Sequence, residues 1–230
     1  MPFFDPLYFL FLLPGLLFAM WAQRHVRLTY IKYSAIGTRS GITGIAAANG
    51  LIQRYGLNSI SLAQIPGDLS DNYNPTSKTM ALSASSMRNS IAAVAIVAHE
   101  LGHALQDKSD YLPLRLRAAI IPAVQVGAWL APVMITAGAI FASSNLIELG
   151  IIAFGVTAAF ALITLPVELD ASSKAMRMLD ESGFLAGDEL AGARQVLNAA
   201  ALTYVAAAAQ ALLQLTYFIT RFGTGRRRRL

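Results

Sequence analysis

Two of the three histidines in this chain stand in the pentapeptide His99-Glu100-Leu101-Gly102-His103. On an α-helix, residues four positions apart lie on the same face, so both imidazoles can reach one metal ion. The glutamate after the first histidine would project beside that metal, where its carboxylate can take a proton from a bound water. The chain has no cysteine, so zinc would need histidine and carboxylate ligands. The pattern therefore predicts a zinc hydrolase site with Glu100 as the general base.

Two histidines do not hold a catalytic zinc ion alone, because such sites have three protein ligands and an open position for water. A metzincin would have its third histidine at position 109, where this chain has Ser109. The remaining candidates are His25, Glu148, Glu168, Asp170 and the acidic residues after Asp180. Glu168 is preferred, because it directly follows a long apolar segment, and an ionisable residue at such a boundary is a functional candidate. His25 is better explained as an interfacial side chain.

The composition is typical of a membrane protein, with 55% hydrophobic and only 13% charged residues. We expect membrane segments at residues 7–22, 118–142, 146–167 and 198–220. The last is rich in alanine and contains two glutamines, so crossing the bilayer and burial within protein both remain open. The net charge of +5 comes largely from basic residues beside the apolar segments, which indicates contact with lipid headgroups and not with nucleic acid.

The distribution of basic residues predicts the orientation in the membrane. Residues 23–117 begin with several basic residues, whereas the turn at residues 143–145 has neither lysine nor arginine, so the former should face the cytosol and the latter the outside. The hairpin then returns Glu168 to the side of the two histidines and leaves Glu148 on the other. If residues 198–220 also cross, the arginines at 226–229 lie outside, against this trend.

The segment between the first two apolar stretches should form a soluble lobe. Its pattern predicts an amphipathic helix at residues 42–55 that ends at Gly56, and a helix carrying the histidines from Asn89 to Gln106. Alternation over Lys78–Ser83 predicts a strand, which we expect to be a sheet edge that an extended substrate can join. Gly102 within a helix indicates close approach by another element.

These elements predict a mainly α fold: an integral membrane helical bundle of about four apolar segments, with a cytosolic zincin-like lobe that contains a short β-strand element. We treat residues 1–230 as a single membrane metallopeptidase domain, with residues 23–117 as the soluble lobe.

Three further residues are candidates for supporting roles. Asp170 and Asp107 could accept a hydrogen bond from the second nitrogen of a ligand imidazole, since Asp170 lies close to Glu168 and Asp107 one helical turn beyond His103. Tyr204 is the candidate donor to the oxyanion, because a phenol within an alanine-rich helix needs a hydrogen-bond partner.

Four segments of the chain together resemble the YugP-type neutral zinc metallopeptidases, a family of bacterial membrane proteins similar to the HtpX-type and CAAX-prenyl proteases. These segments are residues 71–75, 98–106, 165–172 and 200–206. The resemblance runs nearly end to end and implies a gluzincin-like peptidase with zinc ligands His99, His103 and Glu168 and general base Glu100. It also implies a multi-pass protein of the bacterial cytoplasmic (inner) membrane, with its active site facing the cytosol.

Two positions depart from the family pattern. The turn at residues 71–75 more often reads Asp-His-Tyr-Asp-Pro, and here Asn72 and Asn74 replace the histidine and the second aspartate. Related proteases also tend to have aspartate four residues after the glutamate ligand, where this chain has Ser172.

The sequence therefore predicts a membrane-embedded zinc-dependent endopeptidase that hydrolyses membrane or membrane-proximal polypeptides through a zinc-activated water. One alternative is a zinc-binding, proteolytically inactive membrane scaffold. A second is a transporter with histidines in its ion path, although the motif lies outside the predicted spans. We expect lipid and polypeptide as partners and no nucleic acid; association into a homo-oligomer remains open.

Overall fold

The computed structural model describes residues 5–222, so the arginines at 226–229 lie outside the described part of the chain. The helices are α1 (Pro6–Ser34), α2 (Gly44–Arg54), α3 (Ile91–Lys108), α4 (Leu112–Ile140), α5 (Ser144–Ser182) and α6 (Asp188–Phe222). The strands are β1 (Ser61–Gln64), β2 (Asn72–Asn74) and β3 (Thr79–Leu82). Over these residues the protein is mainly α with one small three-stranded sheet, which confirms the predicted mainly α class with a short β element. The cytosolic orientation of the lobe stays a prediction.

Within residues 5–222, four helices are long and apolar enough to cross a membrane, namely α1, α4, α5 and α6. They contain the predicted segments 7–22, 146–167 and 198–220 in full, whereas α4 ends at Ile140, two residues before the predicted end of the segment 118–142. Each helix is longer than its segment; α5, for example, continues beyond residue 167 to Ser182. Polar side chains end an apolar run without ending a helix, because the backbone hydrogen bonds do not depend on them.

The chain divides into two compact units. The first contains residues up to Ala22, Leu116–Leu165 and the residues from Thr203 onward. The second contains Gln23–Arg115 and Pro166–Leu202. The treatment of residues 1–230 as a single domain remains a prediction.

In the first unit, α1 and α6 run antiparallel to each other. Asp5, just before α1, forms an ion pair with Arg221 near the end of α6, with 2.9 Å between Oδ2 and Nε. Ten residues further along α1, Gly15 lies directly against Gln210, and a Cβ at this glycine would collide with the glutamine side chain. The start of α1 therefore lies beside the end of α6.

The core of the second unit is built around α2 and α3. The Ser90 hydroxyl accepts a hydrogen bond from the Ala93 N–H and so begins α3. Several apolar side chains of α3 are fully buried, namely Val94, Val97 and Leu101. Gly56 ends α2 with a φ of 60°, a conformation that favours glycine. Both predicted helices of this lobe are thus present.

The sheet has the strand order β1-β3-β2, so β3 is its central strand. Met80 and Leu82 of β3 are buried, as the alternation predicted. The prediction that this strand forms a sheet edge is wrong, because β1 pairs with it in parallel and β2 pairs with it in antiparallel orientation. The backbone groups on both sides of β3 are therefore engaged, and among residues 5–222 the outer edges of β1 and β2 are the ones without a partner strand.

Candidate metal centre

The structure brings the side chains of His99, His103 and Glu168 together in the second unit. Glu168 Oε2 lies 3.2 Å from His99 Nε2 and 3.5 Å from His103 Nε2. One potential ligand atom from each residue lies within 4.8 Å of the other two. Glu168 is only 2% exposed, so its carboxylate is largely removed from water and directed at the imidazoles. Two histidines and a carboxylate are a common ligand set of catalytic zinc.

A close contact between α3 and α5 creates this arrangement. Gly102, between the two histidines, lies against the backbone of Ala171, and a Cβ at position 102 would collide with the Ala171 carbonyl oxygen. Ala171 lies one turn after Glu168 on α5, so the contact sets this turn beside the imidazoles. The prediction that Gly102 marks a close approach by another element is confirmed.

The second nitrogen of each imidazole also faces a hydrogen-bond partner. His103 Nδ1 lies 2.9 Å from Gln106 Oε1. His99 Nδ1 lies 3.2 Å from Ser172 Oγ. When Nδ1 carries the proton in both rings, each Nε2 presents a lone pair toward Glu168, as metal binding requires. The residues present therefore fit a metal ion.

The electrostatics of the site favour positive charge. Burial lowers the pKa of His103, but the Glu168 hydrogen bond and the Glu100 charge outweigh burial, and the pKa lies above its usual value. The same negative surroundings that favour a proton on this imidazole would favour a metal cation.

Glu100 lies beside this group on α3. Burial raises the pKa of its carboxyl, the two imidazoles of His99 and His103 oppose the shift, and the carboxylates of Glu168 and Asp71 add to it. A raised carboxyl pKa suits a group that must both accept and release a proton during one reaction.

Neither of the two aspartates predicted to support the ligand histidines is the direct partner of an imidazole Nδ1 atom. Asp107 accepts hydrogen bonds from the Tyr73 hydroxyl, at 2.6 Å, and from the Lys78 amine, and it accepts none from an imidazole. Asp170 reaches His103 only through Gln106, whose amide nitrogen lies 2.8 Å from Asp170 Oδ2. The structure thus gives Gln106 and Ser172 the positions expected of the aspartates.

Both residues carried a signal in the sequence. Gln106 follows His103 by three positions and Ser172 follows Glu168 by four, so each shares a helix face with a predicted ligand. Gln106 was not predicted, because the expected partner of a ligand imidazole is a carboxylate. Tyr204 lies on α6 in the other unit, and its predicted role as an oxyanion donor stays a prediction.

A mainly helical chain with four membrane-capable helices and an H-E-x-x-H helix facing a buried glutamate defines a class of membrane metal proteins. Residues 8–223 match the family described as "Putative neutral zinc metallopeptidase". The chain belongs to this family, which implies zinc as the metal for the His99, His103 and Glu168 group.

A curated relative extends this match. Over 209 residues the chain is 41% identical to "Putative membrane protease YugP" of Bacillus subtilis (strain 168). The aligned region covers 90% of this chain and 93% of that protein. No solved structure shows significant similarity to the chain.

Proposed function

We propose that this protein is a membrane-embedded zinc-dependent endopeptidase that cleaves membrane or membrane-proximal polypeptides. The observation that carries the proposal is the convergence of His99, His103 and the buried Glu168, with Glu100 beside them on α3. Membership of a zinc metallopeptidase family supports the same activity. With zinc bound by these residues the site would be of the gluzincin type, in which a glutamate from a second helix completes the ligand set.

His99 and His103 would bind zinc through Nε2, and Glu168 through its carboxylate. Zinc bound in this way lowers the pKa of water and polarises a peptide carbonyl. Glu100 would accept the proton of the attacking water and donate it to the leaving amine. Tyr204 remains the proposed donor to the oxyanion.

We further propose that the protein lies in the bacterial cytoplasmic membrane, with α1, α4, α5 and α6 crossing it and the metal centre facing the cytosol. The antiparallel pairing of α1 with α6 supports a full crossing by α6. The apolar first part of α1 lies against the last part of α6, so if α1 crosses the membrane, that part of α6 should cross beside it. Basic residues at Arg24 and Arg27, directly after that part of α1, support the cytosolic orientation. Because Glu168 directly follows the apolar part of α5, the site would lie beside the bilayer, which favours polypeptides in or near the membrane as substrates.

This orientation can be tested directly because the native chain has no cysteine. A single cysteine at exposed Asn58, in the lobe, should react with a membrane-impermeant maleimide only after the cytosolic side is opened. A cysteine at exposed Asn145, in the first turn of α5, should react in intact cells. The reverse pattern of labelling would place the metal centre outside the cytosol.

The activity can be tested with the full chain purified in detergent. We expect about one zinc ion per chain and cleavage of an unfolded polypeptide such as casein. Chelation should remove both the metal and the cleavage, and zinc but not magnesium should restore them, since magnesium prefers an octahedral set of oxygen ligands.

Two results would contradict the proposal in different ways. Undiminished cleavage by metal-free protein would exclude a zinc mechanism. Stoichiometric zinc without cleavage of soluble or membrane-inserted polypeptides would favour the inactive scaffold.

A further inference from the structure

Gln106 is the most completely buried polar side chain around the metal centre, with 0% exposure. A buried amide is unfavourable unless its donors and its acceptor are all paired. We propose that Gln106 is a positioning residue that fixes both the orientation and the tautomer of His103 for metal binding. This inference rests on the metal centre of the proposed function and concerns how its ligand is held.

The surroundings of the Gln106 nitrogen determine which way the amide faces. Nε2 lies 2.7 Å from the backbone carbonyl oxygen of Val167 and 2.8 Å from Asp170 Oδ2. Both of these atoms are acceptors, so only the NH₂ end of the amide can face them. An amide turned the other way would place its oxygen against two other oxygens.

The fixed amide in turn determines the protonation of His103. With its nitrogen toward α5, Gln106 presents Oε1 to His103 Nδ1 at 2.9 Å. A carbonyl oxygen only accepts hydrogen bonds, so Nδ1 must carry the proton. In neutral His103, Nε2 is then the unprotonated nitrogen, and it is Nε2 that faces Glu168. The ligand nitrogen is therefore selected before any metal binds.

The network continues to a charged pair on α5. Lys174 donates to Asp170 Oδ2, the same oxygen that accepts from Gln106. The lysine balances the negative charge of Asp170, so the pair can hold Gln106 without adding net charge beside the metal centre. The hydrogen bonds therefore run from His103 to Gln106 and from Gln106 to Asp170, and Lys174 donates to Asp170 from the other side.

His99 provides an internal comparison. Its Nδ1 faces Ser172 Oγ at 3.2 Å, and a hydroxyl can donate or accept. Ser172 therefore does not select a tautomer, and its contact is longer than the one at His103. We expect Ser172→Ala to weaken zinc binding less than a change at Gln106.

The sharpest test is Gln106→Glu, which preserves shape but replaces the donor end by an oxygen. The new carboxylate would face Val167 O and Asp170, so we expect zinc affinity to fall about ten- to a hundredfold, as is typical for partners of metal ligands. Gln106→Glu combined with Asp170→Asn returns a donor to the pair and should recover part of the loss, because an oxygen at position 106 still faces Val167 O. Zinc affinity is measured by competition with a chromophoric chelator on the full chain in detergent.

A spectroscopic readout separates positioning from general destabilisation. With cobalt in place of zinc, the visible absorption bands should shift in Gln106→Glu and return toward the wild-type position in the double variant. Thermal unfolding of the metal-free proteins identifies any variant that fails to fold, and the double variant then carries the test.

The outcomes distinguish this inference from the proposed function. A wild-type chain that binds no zinc would overturn both. If the wild type binds zinc and Gln106→Glu binds it within about twofold, with an unchanged cobalt spectrum, the positioning role is wrong while the protease remains. The role is also wrong if the double variant folds without any recovery of affinity.

Discussion

Glu100→Gln should greatly slow peptide cleavage while leaving zinc bound. The amide has nearly the shape of the carboxylate but cannot accept a proton, so the loss should be about a hundredfold to ten-thousandfold in kcat, the usual contribution of a general base. Zinc content should be unchanged, because the ligand atoms come from His99, His103 and Glu168. Metal analysis and a cleavage assay on the same preparation measure both quantities.

The control for this variant is Glu181→Gln. Glu181 is also a glutamate of the second unit, but its carboxylate accepts a hydrogen bond from the Tyr55 hydroxyl, at 2.6 Å, away from the histidines. We expect near wild-type cleavage from this variant. Persistent cleavage by zinc-loaded Glu100→Gln would show that another group takes the proton.

Glu168→Ala should lose the metal itself. Two imidazoles remain, and zinc sites that support catalysis have three protein ligands. We expect zinc affinity to fall by more than about a hundredfold, beyond the effect typical of a residue that only supports a ligand. Glu168→Asp keeps a carboxylate but withdraws it from Nε2 of the two histidines, so its affinity should lie between those of the alanine variant and the wild type.

Chelator competition on wild type and variants checks this order, with Glu181→Ala as the control for loss of a glutamate from α5. Equal zinc affinity in Glu168→Ala and wild type would mean that the third ligand lies elsewhere, and His25 and Glu148 would again be candidates. Loss of affinity in the control as well would indicate a general effect on folding.

The helices of this protein could be predicted from the sequence because their signals are local. The apolar segments are long, and the pattern at residues 42–55 and 89–106 repeats with helical periodicity. The predicted α3 differs from the observed Ile91–Lys108 by two residues at each end, since Ser90 begins the helix through its side chain. Ends depend on single hydrogen bonds and are therefore harder to predict than helices.

The sheet could be predicted only in part. β3 alternates between buried and half-buried residues, and this period marked it as a strand. β1 and β2 have no comparable pattern, and β2 contains Asn72 and Asn74, which are typical of turns. These short strands depend on pairing with β3, which is a tertiary interaction, so both the missing strands and the mistaken edge have the same cause.

The candidate metal centre could also be predicted only in part. The spacing of His99 and His103 follows from helix geometry, and the predicted return of the hairpin brought Glu168 to the same side. The hydrogen bonds of Gln106 to Val167 and Asp170 depend on how closely α3 approaches α5. Sequence spacing does not give that distance, although Gly102 indicated that it would be short.

The order of the ligands along the chain has a consequence for synthesis. His99 and His103 precede α4, whereas Glu168 follows most of the apolar part of α5. A nascent chain therefore carries only two of the three ligands until the hairpin between them has been made. Because the third ligand arrives last, the proposed zinc site would stay incomplete, and the proposed protease latent, until α4 and the first part of α5 have been synthesised.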